Sequence, residues 1–256
     1  MKSDGIVSEN IRTIGRSTAD EIQKRKDFLS IYDACPIPQE EILSNLGLFI
    51  NRQSLQRVLF FSELYKKIVD LRGIIIEFGV RWGQNLALFA NLRGMFEPFN
   101  YNRKIVGFDT FEGFPKTSDR DNNGLKAGDY GVSENYETYL SKVLDYHESE
   151  SPVAHIKKYE IIKGDAVFTL KKYLQEYPET IIALAYFDFD LYEPTKKCLE
   201  LIRDDHLTRG AVIGFDDLNT PDFKGETLAL KEVLGLNRYK IQKSAVSPLE
   251  SYVVFE

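Results

Sequence analysis

Two hydrophobic patterns follow one another along the chain. Residues 1 to about 17 show no sustained period, and from Ser17 to residue 72 the apolar positions recur mainly at helical spacing. A first helix is expected after Ser17 or Thr18, and a longer one, with Ser54 as its cap, is expected to stop at Gly73. This part of the chain therefore predicts an N-terminal helical extension, which could form a lid over a site or an oligomer contact, or could simply pack against the rest of the chain.

Short apolar runs alternate with helical patterns from residue 73 onward. Five runs predict strands: IIIE, RKIVGFD ending at Asp109, YEIIKGD ending at Gly164 and Asp165, IIALAYF ending before Asp188, and GAVIGF running up to Asp216 and Asp217. The tail adds RYKIQKS and SYVVFE. The intervening helices imply a parallel sheet covered on both faces, whereas the two tail strands are close enough to pair as an antiparallel edge. We therefore predict a doubly wound α/β fold over residues 73–256. Its sheet would be seven-stranded and mostly parallel, with ligands at the carboxyl ends of the strands.

Composition narrows the class of protein. With 256 residues, 43% of them hydrophobic and 28% charged, the chain resembles an ordinary globular protein, and a net charge of -6 argues against nucleic acid as a partner. No apolar run approaches the about 18 residues that cross a membrane. Two distant cysteines, Cys35 and Cys198, do not suggest a disulfide scaffold. Together with the polar N-terminus, they are consistent with a cytoplasmic location.

A glycine-containing turn follows the first strand. The sequence GIIIEFGVRWGQN, residues 73–85, predicts a buried strand, a tight turn and the start of a helix. Glycines let the backbone come close to a ligand, and the first turn of a helix offers free N–H groups. We expect the following residues to form a cofactor cradle: Glu77, Phe78, Gly79, Val80, Gly83, Gln84 and Asn85.

Acidic residues also end the next two strands. Asp109 is placed to bond ribose hydroxyls, as in doubly wound nucleotide binders, and Asp165 could bond an adenine amino group. Neither G-x-G-x-x-G nor G-x-x-x-x-G-K-[ST] occurs, which disfavours a dinucleotide or a triphosphate. S-adenosylmethionine is then the leading cofactor candidate. Further contacts are predicted from Thr110, Phe111, Gly164 and Asp188.

Three carboxylates are expected at two adjacent strand ends. Asp188 follows the fourth strand, and Asp216 and Asp217 follow the fifth. Because adjacent residues on a strand point to opposite faces, the last two converge only if the strand has already ended. Such carboxylates would repel one another unless a cation lay among them, and oxygen-only ligands suit Mg²⁺ or a similar divalent ion. Helix capping and solvent exposure are the alternative roles of these acids.

Five motifs together resemble a known family. In order, EFGVRWGQN, FDTFEGFP, GDYGVS, FDFDLYEPT and FDD are similar to those of the macrocin O-methyltransferase family over about residues 36–256. SNLGLFINRQ and ETLALKEVLG resemble more particularly the branch that contains the calicheamicin sugar methyltransferase. The resemblance implies a Rossmann-like class I methyltransferase fold, an S-adenosylmethionine and metal requirement, and methylation of sugar hydroxyls in glycan or natural-product biosynthesis.

The family likeness also implies individual roles. It assigns Glu77, Gly79, Val80 and Gly83 to the methionine end of the cofactor, Asp109 and Thr110 to the ribose, and Asp165 to the adenine. It assigns Asp188, Asp216 and Asp217 to the metal, with Asp188 also as general base. We expect the metal to chelate two neighbouring sugar hydroxyls before in-line methyl transfer.

The acceptor is less closely defined. Tyr130 lies in a long polar loop, about residues 116–133, and is a predicted substrate contact together with Tyr192. The expected partner is a sugar or glycoside that is free, nucleotide-linked or attached to a scaffold, and we expect the enzyme to be a homo-oligomer. Two alternatives stay open. One is a catechol-type O-methyltransferase acting on an aromatic diol, and the other is a non-catalytic binding protein with the same fold.

Overall fold

The computed structural model describes residues 11–13, 15, 17–122 and 124–256, and the first ten residues of the predicted extension lie outside this part. Its centre is a seven-stranded sheet in the order β3-β2-β1-β4-β5-β7-β6. The strands are β1 (Ile74–Phe78), β2 (Ile105–Asp109), β3 (Tyr159–Lys163), β4 (Ile182–Phe187), β5 (Leu207–Phe215), β6 (Gln242–Lys243) and β7 (Ser251–Val254). β1 to β5 pair in parallel and β7 is antiparallel to both neighbours, which confirms the predicted fold class.

Helices cover both faces of the sheet. They are α1 (Ala19–Asp33), α2 (Gln39–Ile42), α3 (Arg52–Ile68), α4 (Gln84–Phe96), α5 (Tyr136–Ser149), α6 (Ala166–Glu176), α7 (Tyr192–Ile202) and α8 (Gly225–Val233), with a 3-10 helix at Leu43–Leu48. Apolar residues of α3, α4 and α5 form one hydrophobic core with the sheet, and those of α6, α7 and α8 form the other. Neighbouring residues Ile75 and Ile76 belong to different cores, as the alternation of side chains along a strand requires.

The N-terminal helices differ in how they are capped and packed. Thr18 caps α1 in a capping box with Glu21, as predicted. The prediction of Ser54 as the cap of α3 is wrong: the side chain of Asn51 accepts the bond from the Ser54 N–H at 2.8 Å. Asn51 is three residues earlier, and the helix begins immediately after it. None of α1, α2 and the 3-10 helix has a buried residue, whereas α3 buries five.

The strand order reverses between β1 and β4, which are direct neighbours. In doubly wound sheets, ligands bind in the crevice outside the carboxyl ends of the strands at this point. The sheet therefore brings the residues that follow β1, β2, β4 and β5 to one edge. Among the described residues, no helix combines the length and apolarity needed to cross a lipid bilayer.

Candidate functional site

A cavity of about 910 Å³ opens at the carboxyl ends of the parallel strands. Most of the predicted site residues line it: Gly79, Val80, Gly83, Gln84, Asn85, Asp109, Thr110, Tyr130, Gly164, Asp165, Asp188, Asp216 and Asp217. Glu77, Phe78, Phe111 and Tyr192 are not among its lining residues. The tertiary structure thus brings residues of all five sequence motifs to one site.

The turn after β1 is shaped by two glycines. Gly79 and Gly83 have φ angles of 84° and 73°, a left-handed conformation that favours glycine. A Cβ on Gly79 would overlap the backbone oxygen of Asp188, so the chain after β1 passes directly against the chain after β4. α4 begins immediately after Gly83, and no side chain caps its first turn, so this turn of the chain lies next to backbone N–H groups that have no partner within the helix.

Glu77 lies beneath this turn and is completely buried. Its Oε1 accepts a hydrogen bond from Asn85 Nδ2 at 2.7 Å, whereas its Oε2 is buried without a hydrogen-bond partner. Burial raises the pKa of Glu77 well above its usual value, and the bond from Asn85 opposes this only in part. A buried carboxylate oxygen without a partner is costly unless a ligand donates to it.

The two acids predicted to bind a nucleoside also hold the local backbone. Asp109 accepts from the N–H groups of Arg81 at 2.7 Å and Phe111 at 2.5 Å, which ties the turn after β1 to the turn after β2. Burial raises the pKa of Asp109 although these bonds act to lower it. Asp165 caps α6 through the Val167 N–H at 2.9 Å. Both carboxylates still line the cavity.

The predicted acid trio follows the ends of β4 and β5. Phe187 and Phe215 are paired in the sheet, so Asp188 and Asp216 follow them side by side. Burial, followed by the neighbouring charge of Asp216, raises the pKa of Asp188 to about 8.

Sequence reasoning missed Arg57 of α3, which contacts this trio. Its Nη2 donates to Asp188 Oδ2 at 2.6 Å, and its Nη1 donates to Asp216 Oδ1 at 2.8 Å. A signal existed, because Arg57 is the charged member of an otherwise apolar helical stripe that continues through Phe61 and Leu64. In the described part of the chain, no three acidic, histidine or cysteine side chains are grouped so as to hold a metal ion.

Glu226 at the start of α8 was also missed, although its segment contributed to the family resemblance. Its buried carboxylate accepts from the N–H groups of Phe189 and Asp190 at 3.0 and 3.2 Å, and from that of Asp217 at 3.4 Å. Burial raises its pKa well above the usual value, as do the surrounding acids. Glu226 therefore fixes the two loops that carry the acid trio relative to each other.

The two predicted substrate tyrosines lie in different surroundings. The Tyr130 ring lines the cavity, 5.1 Å from the guanidinium carbon of Arg81 and 5.1 Å from the ring of Phe114. Tyr192 is 2% exposed, and its hydroxyl donates to Glu232 at 2.5 Å. Of the two, only Tyr130 faces the cavity, so Tyr192 serves here in packing.

Solved structures similar to this chain are sugar and natural-product methyltransferases. The chain is 40% identical to the calicheamicin methyltransferase CalS11, with a TM-score of 0.90 over 98% of this chain and 99% of that one. An apo structure of CalS11, described as a TDP-rhamnose 3'-O-methyltransferase of calicheamicin biosynthesis, is 38% identical with a TM-score of 0.82 and covers 94% of this chain and 96% of its own.

A more distant structure shares the fold. The O-methyltransferase NovP is 15% identical, with a TM-score of 0.57 over 78% of this chain and 79% of that one. No protein-family model matches the chain. No curated protein matches it either.

Proposed function

The chain belongs to the macrocin O-methyltransferase family, in the branch of the calicheamicin sugar methyltransferase, and we propose that it methylates a sugar hydroxyl with S-adenosylmethionine and a divalent ion. It is an O-methyltransferase. The observation that carries the proposal is the 40% identity to the calicheamicin enzyme over nearly the whole of both chains. The cavity at the switch point of the sheet supports the same function.

The shape of the cradle supports S-adenosylmethionine as the methyl donor. Glu77 and the backbone from Gly79 to Gly83 would hold the methionine end: the glycine turn lines the cavity, and Glu77 beneath it has a buried carboxylate oxygen without a hydrogen-bond partner. Asp109 would hold the ribose and Asp165 the adenine. Bound in this way, S-adenosylmethionine supplies a methyl group that is already electrophilic.

The cavity lining supports a polar acceptor. Arg81, Lys116 and Lys197 line the cavity, and the guanidinium of Arg81 lies over the ring of Tyr130. We propose a nucleotide-linked sugar as the acceptor. Its diphosphate would bind these cationic side chains, and its sugar ring would lie against Tyr130. Because the described apo CalS11 is a TDP-rhamnose 3'-O-methyltransferase, a deoxythymidine-linked deoxysugar is the first acceptor to test.

The acid trio supports a divalent ion by its donor chemistry. Asp188, Asp216 and Asp217 offer carboxylate oxygens, which Mg²⁺ prefers. When bound there, the ion would lower the pKa of the acceptor hydroxyl. Asp188 would take the hydroxyl proton, because its carboxylate lines the cavity at the end of β4, beside the acids that would hold the ion. Glu226 would hold the loop after β4 and the loop after β5, which carry these acids, in fixed positions relative to each other.

The test is methyl transfer to a panel of acceptors. The purified chain is incubated with S-adenosylmethionine, Mg²⁺ and either TDP-rhamnose, other nucleotide sugars, free rhamnose or catechol, and mass spectrometry detects the methyl gain. We expect product with a nucleotide sugar and at least about a 100-fold lower rate for Asp188→Asn. Asp205→Asn, the same change on an exposed residue just before β5, should keep full activity.

The remaining outcomes separate the alternatives. Product with catechol but with no sugar would establish the aromatic-diol activity instead. If a calorimetric titration detects no binding of S-adenosylmethionine, only the alternative of a non-catalytic binding protein is left. Full activity of Asp188→Asn in chelator-treated buffer would rule out the proposed metal and base roles.

A further inference from the structure

Asp121 joins the polar loop after β2 to the helix after β4. It is 1% exposed and is one of the residues that line the cavity. Its Oδ1 accepts from the backbone N–H of Tyr192 at 2.7 Å, and its Oδ2 accepts from the backbone N–H and the hydroxyl of Ser118 at 2.7 and 2.8 Å. One oxygen is therefore bonded to α7 and the other to the loop itself.

The bond to Tyr192 supplies a cap that α7 otherwise lacks. Leu191, the residue before the helix, makes no side-chain bond to the first turn, and the first N–H groups of a helix have no partner within it. A carboxylate near the start of a helix also interacts favourably with the helix dipole. Asp121 provides both interactions from a position 71 residues earlier in the chain.

The residues on either side of Asp121 fasten the same stretch of the loop. Arg120 donates to and forms an ion pair with Glu232 of α8. Asn122 Nδ2 donates to the backbone oxygen of Asp222 at 2.8 Å. Three successive side chains of the loop are therefore bonded to α8, to α7 and to the segment between β5 and α8.

The contact also links two cationic residues of the cavity wall. Lys116 lies at the start of the loop and Lys197 lies in α7, and both line the cavity. A lysine ammonium is a point charge on a flexible stem, so the region that it can reach is set by the position of its backbone. The bond between Asp121 and Tyr192 therefore fixes these two regions relative to each other.

We propose that Asp121 is a positioning residue for the acceptor: by joining the loop to α7, it sets the positions of Lys116 and Lys197 where they bind the acceptor diphosphate. This inference rests on the proposed nucleotide-linked acceptor. Both oxygens of Asp121 are bonded to the protein, so it acts through the elements that it joins. Asparagine has one acceptor oxygen, and its amide nitrogen cannot accept, so at this position it must lose either the Tyr192 bond or the Ser118 bonds.

The experiment measures the binding of thymidine diphosphate to the full chain by calorimetry. We expect Asp121→Asn to weaken this binding at least about tenfold, because the two lysines are no longer held in fixed positions around the diphosphate. S-adenosylhomocysteine binding should stay within about twofold of the wild-type value, since Asp121 bonds none of the residues proposed to hold the cofactor. Asp119→Asn makes the same change on an exposed residue of the same loop, and both affinities should stay within about twofold.

Kinetics with a nucleotide sugar provide a second readout. Asp121→Asn should raise the KM of the acceptor at least about tenfold and leave kcat within about threefold, because the acceptor binds less tightly but meets the same reacting groups. Circular dichroism establishes whether the variant is folded. If it is not, Arg120→Gln replaces it, since this exposed residue fastens the same loop without lining the cavity, and thymidine diphosphate should bind at least about threefold more weakly.

The outcomes separate this inference from the proposed function. Unchanged thymidine diphosphate binding in the folded variants, with an active wild-type chain, overturns the role of Asp121 alone. Equal weakening of thymidine diphosphate and S-adenosylhomocysteine binding overturns it too, because general damage to the fold has that effect. A wild-type chain that binds S-adenosylhomocysteine but not thymidine diphosphate overturns the nucleotide-linked acceptor and this inference with it. A wild-type chain that binds neither overturns the proposed function as a whole.

Discussion

Glu77 is the residue whose surroundings most clearly call for a ligand. It is completely buried, one of its oxygens has no hydrogen-bond partner, and its other oxygen accepts from Asn85. A folded protein tolerates such a group at a cost in stability that a bound donor can offset. The cost and the benefit of Glu77 can therefore be measured separately.

Glu77→Gln should weaken S-adenosylhomocysteine binding at least about tenfold, measured by calorimetry, because the amide nitrogen that replaces the unpartnered oxygen cannot accept a hydrogen bond from the cofactor. Relative to the wild-type chain, the same variant should gain stability as pH rises. The raised pKa of Glu77 means that the native state keeps a proton that the unfolded chain releases, so wild-type stability falls above the unfolded pKa.

Urea unfolding at pH 5 and pH 8, without cofactor, checks the second part. The free energy of unfolding of Glu77→Gln relative to the wild-type chain should be larger at pH 8 than at pH 5. A difference that is equal at the two pH values would show that Glu77 does not carry the raised pKa.

At the scale of elements, the site depends on how closely the chain after β1 passes the chain after β4. The positive φ of Gly79 allows the turn, and the absence of a side chain allows contact with the backbone of Asp188. Gly225 has the same relation to the loop after β4, since a Cβ there would lie 2.5 Å from Asp190 O. Gly79 and Gly225 thus allow the turn after β1 and the start of α8 to lie directly against the loop after β4.

Gly79→Ala should lower the free energy of unfolding by about 2–4 kcal/mol, because it combines backbone strain with overlap of a neighbouring backbone. Urea denaturation provides the measurement. Gly47→Ala is the matched control: no atom lies within 4 Å of its added Cβ, and its effect should be within about 0.5 kcal/mol. Equal effects of the two substitutions would refute the close-approach argument.

At the scale of the whole molecule, residues 19–50 form an arm that is not covered by the described part of the chain. Its helices have no buried residue, and it exposes several large apolar side chains. The most exposed are Leu29 at 59%, Ile31 at 63%, Leu43 at 80% and Leu48 at 63%. Short helices without a packed apolar face are only marginally stable in water, so we expect a second copy of the chain to cover this arm.

The double substitution Leu43→Glu with Leu48→Glu should dissociate that oligomer, measured by sedimentation velocity. Exposed substitutions have little effect on an isolated monomer, but a carboxylate buried at an interface is costly. Gln39→Glu, an exposed polar position in α2, should leave the assembly intact. A wild-type chain that sediments as a monomer at micromolar concentration would contradict the prediction.

Much of the fold could be predicted from the local pattern of hydrophobic and polar residues. The five parallel strands, the helices between them and the antiparallel tail were predictable, because a buried strand with helices on both sides reads as a short apolar run between amphipathic segments. The tail strand β6 is shorter than the predicted RYKIQKS, since only Gln242 and Lys243 pair with β7. A short edge strand has too few residues to show a recognisable alternation of hydrophobic and polar positions.

Within the site, the sequence alone determined which acids follow which strands, since that depends only on where apolar runs end. Only the tertiary structure decided that Arg57 lies against Asp188 and Asp216. Those contacts depend on how α3 packs across the sheet, where Gly214 lets Leu64 approach β5 closely. The periodicity of a helix or strand does not indicate which residue more than a hundred positions away its side chains will contact. The position of Arg57 beside the two acids could therefore be read only from the folded chain.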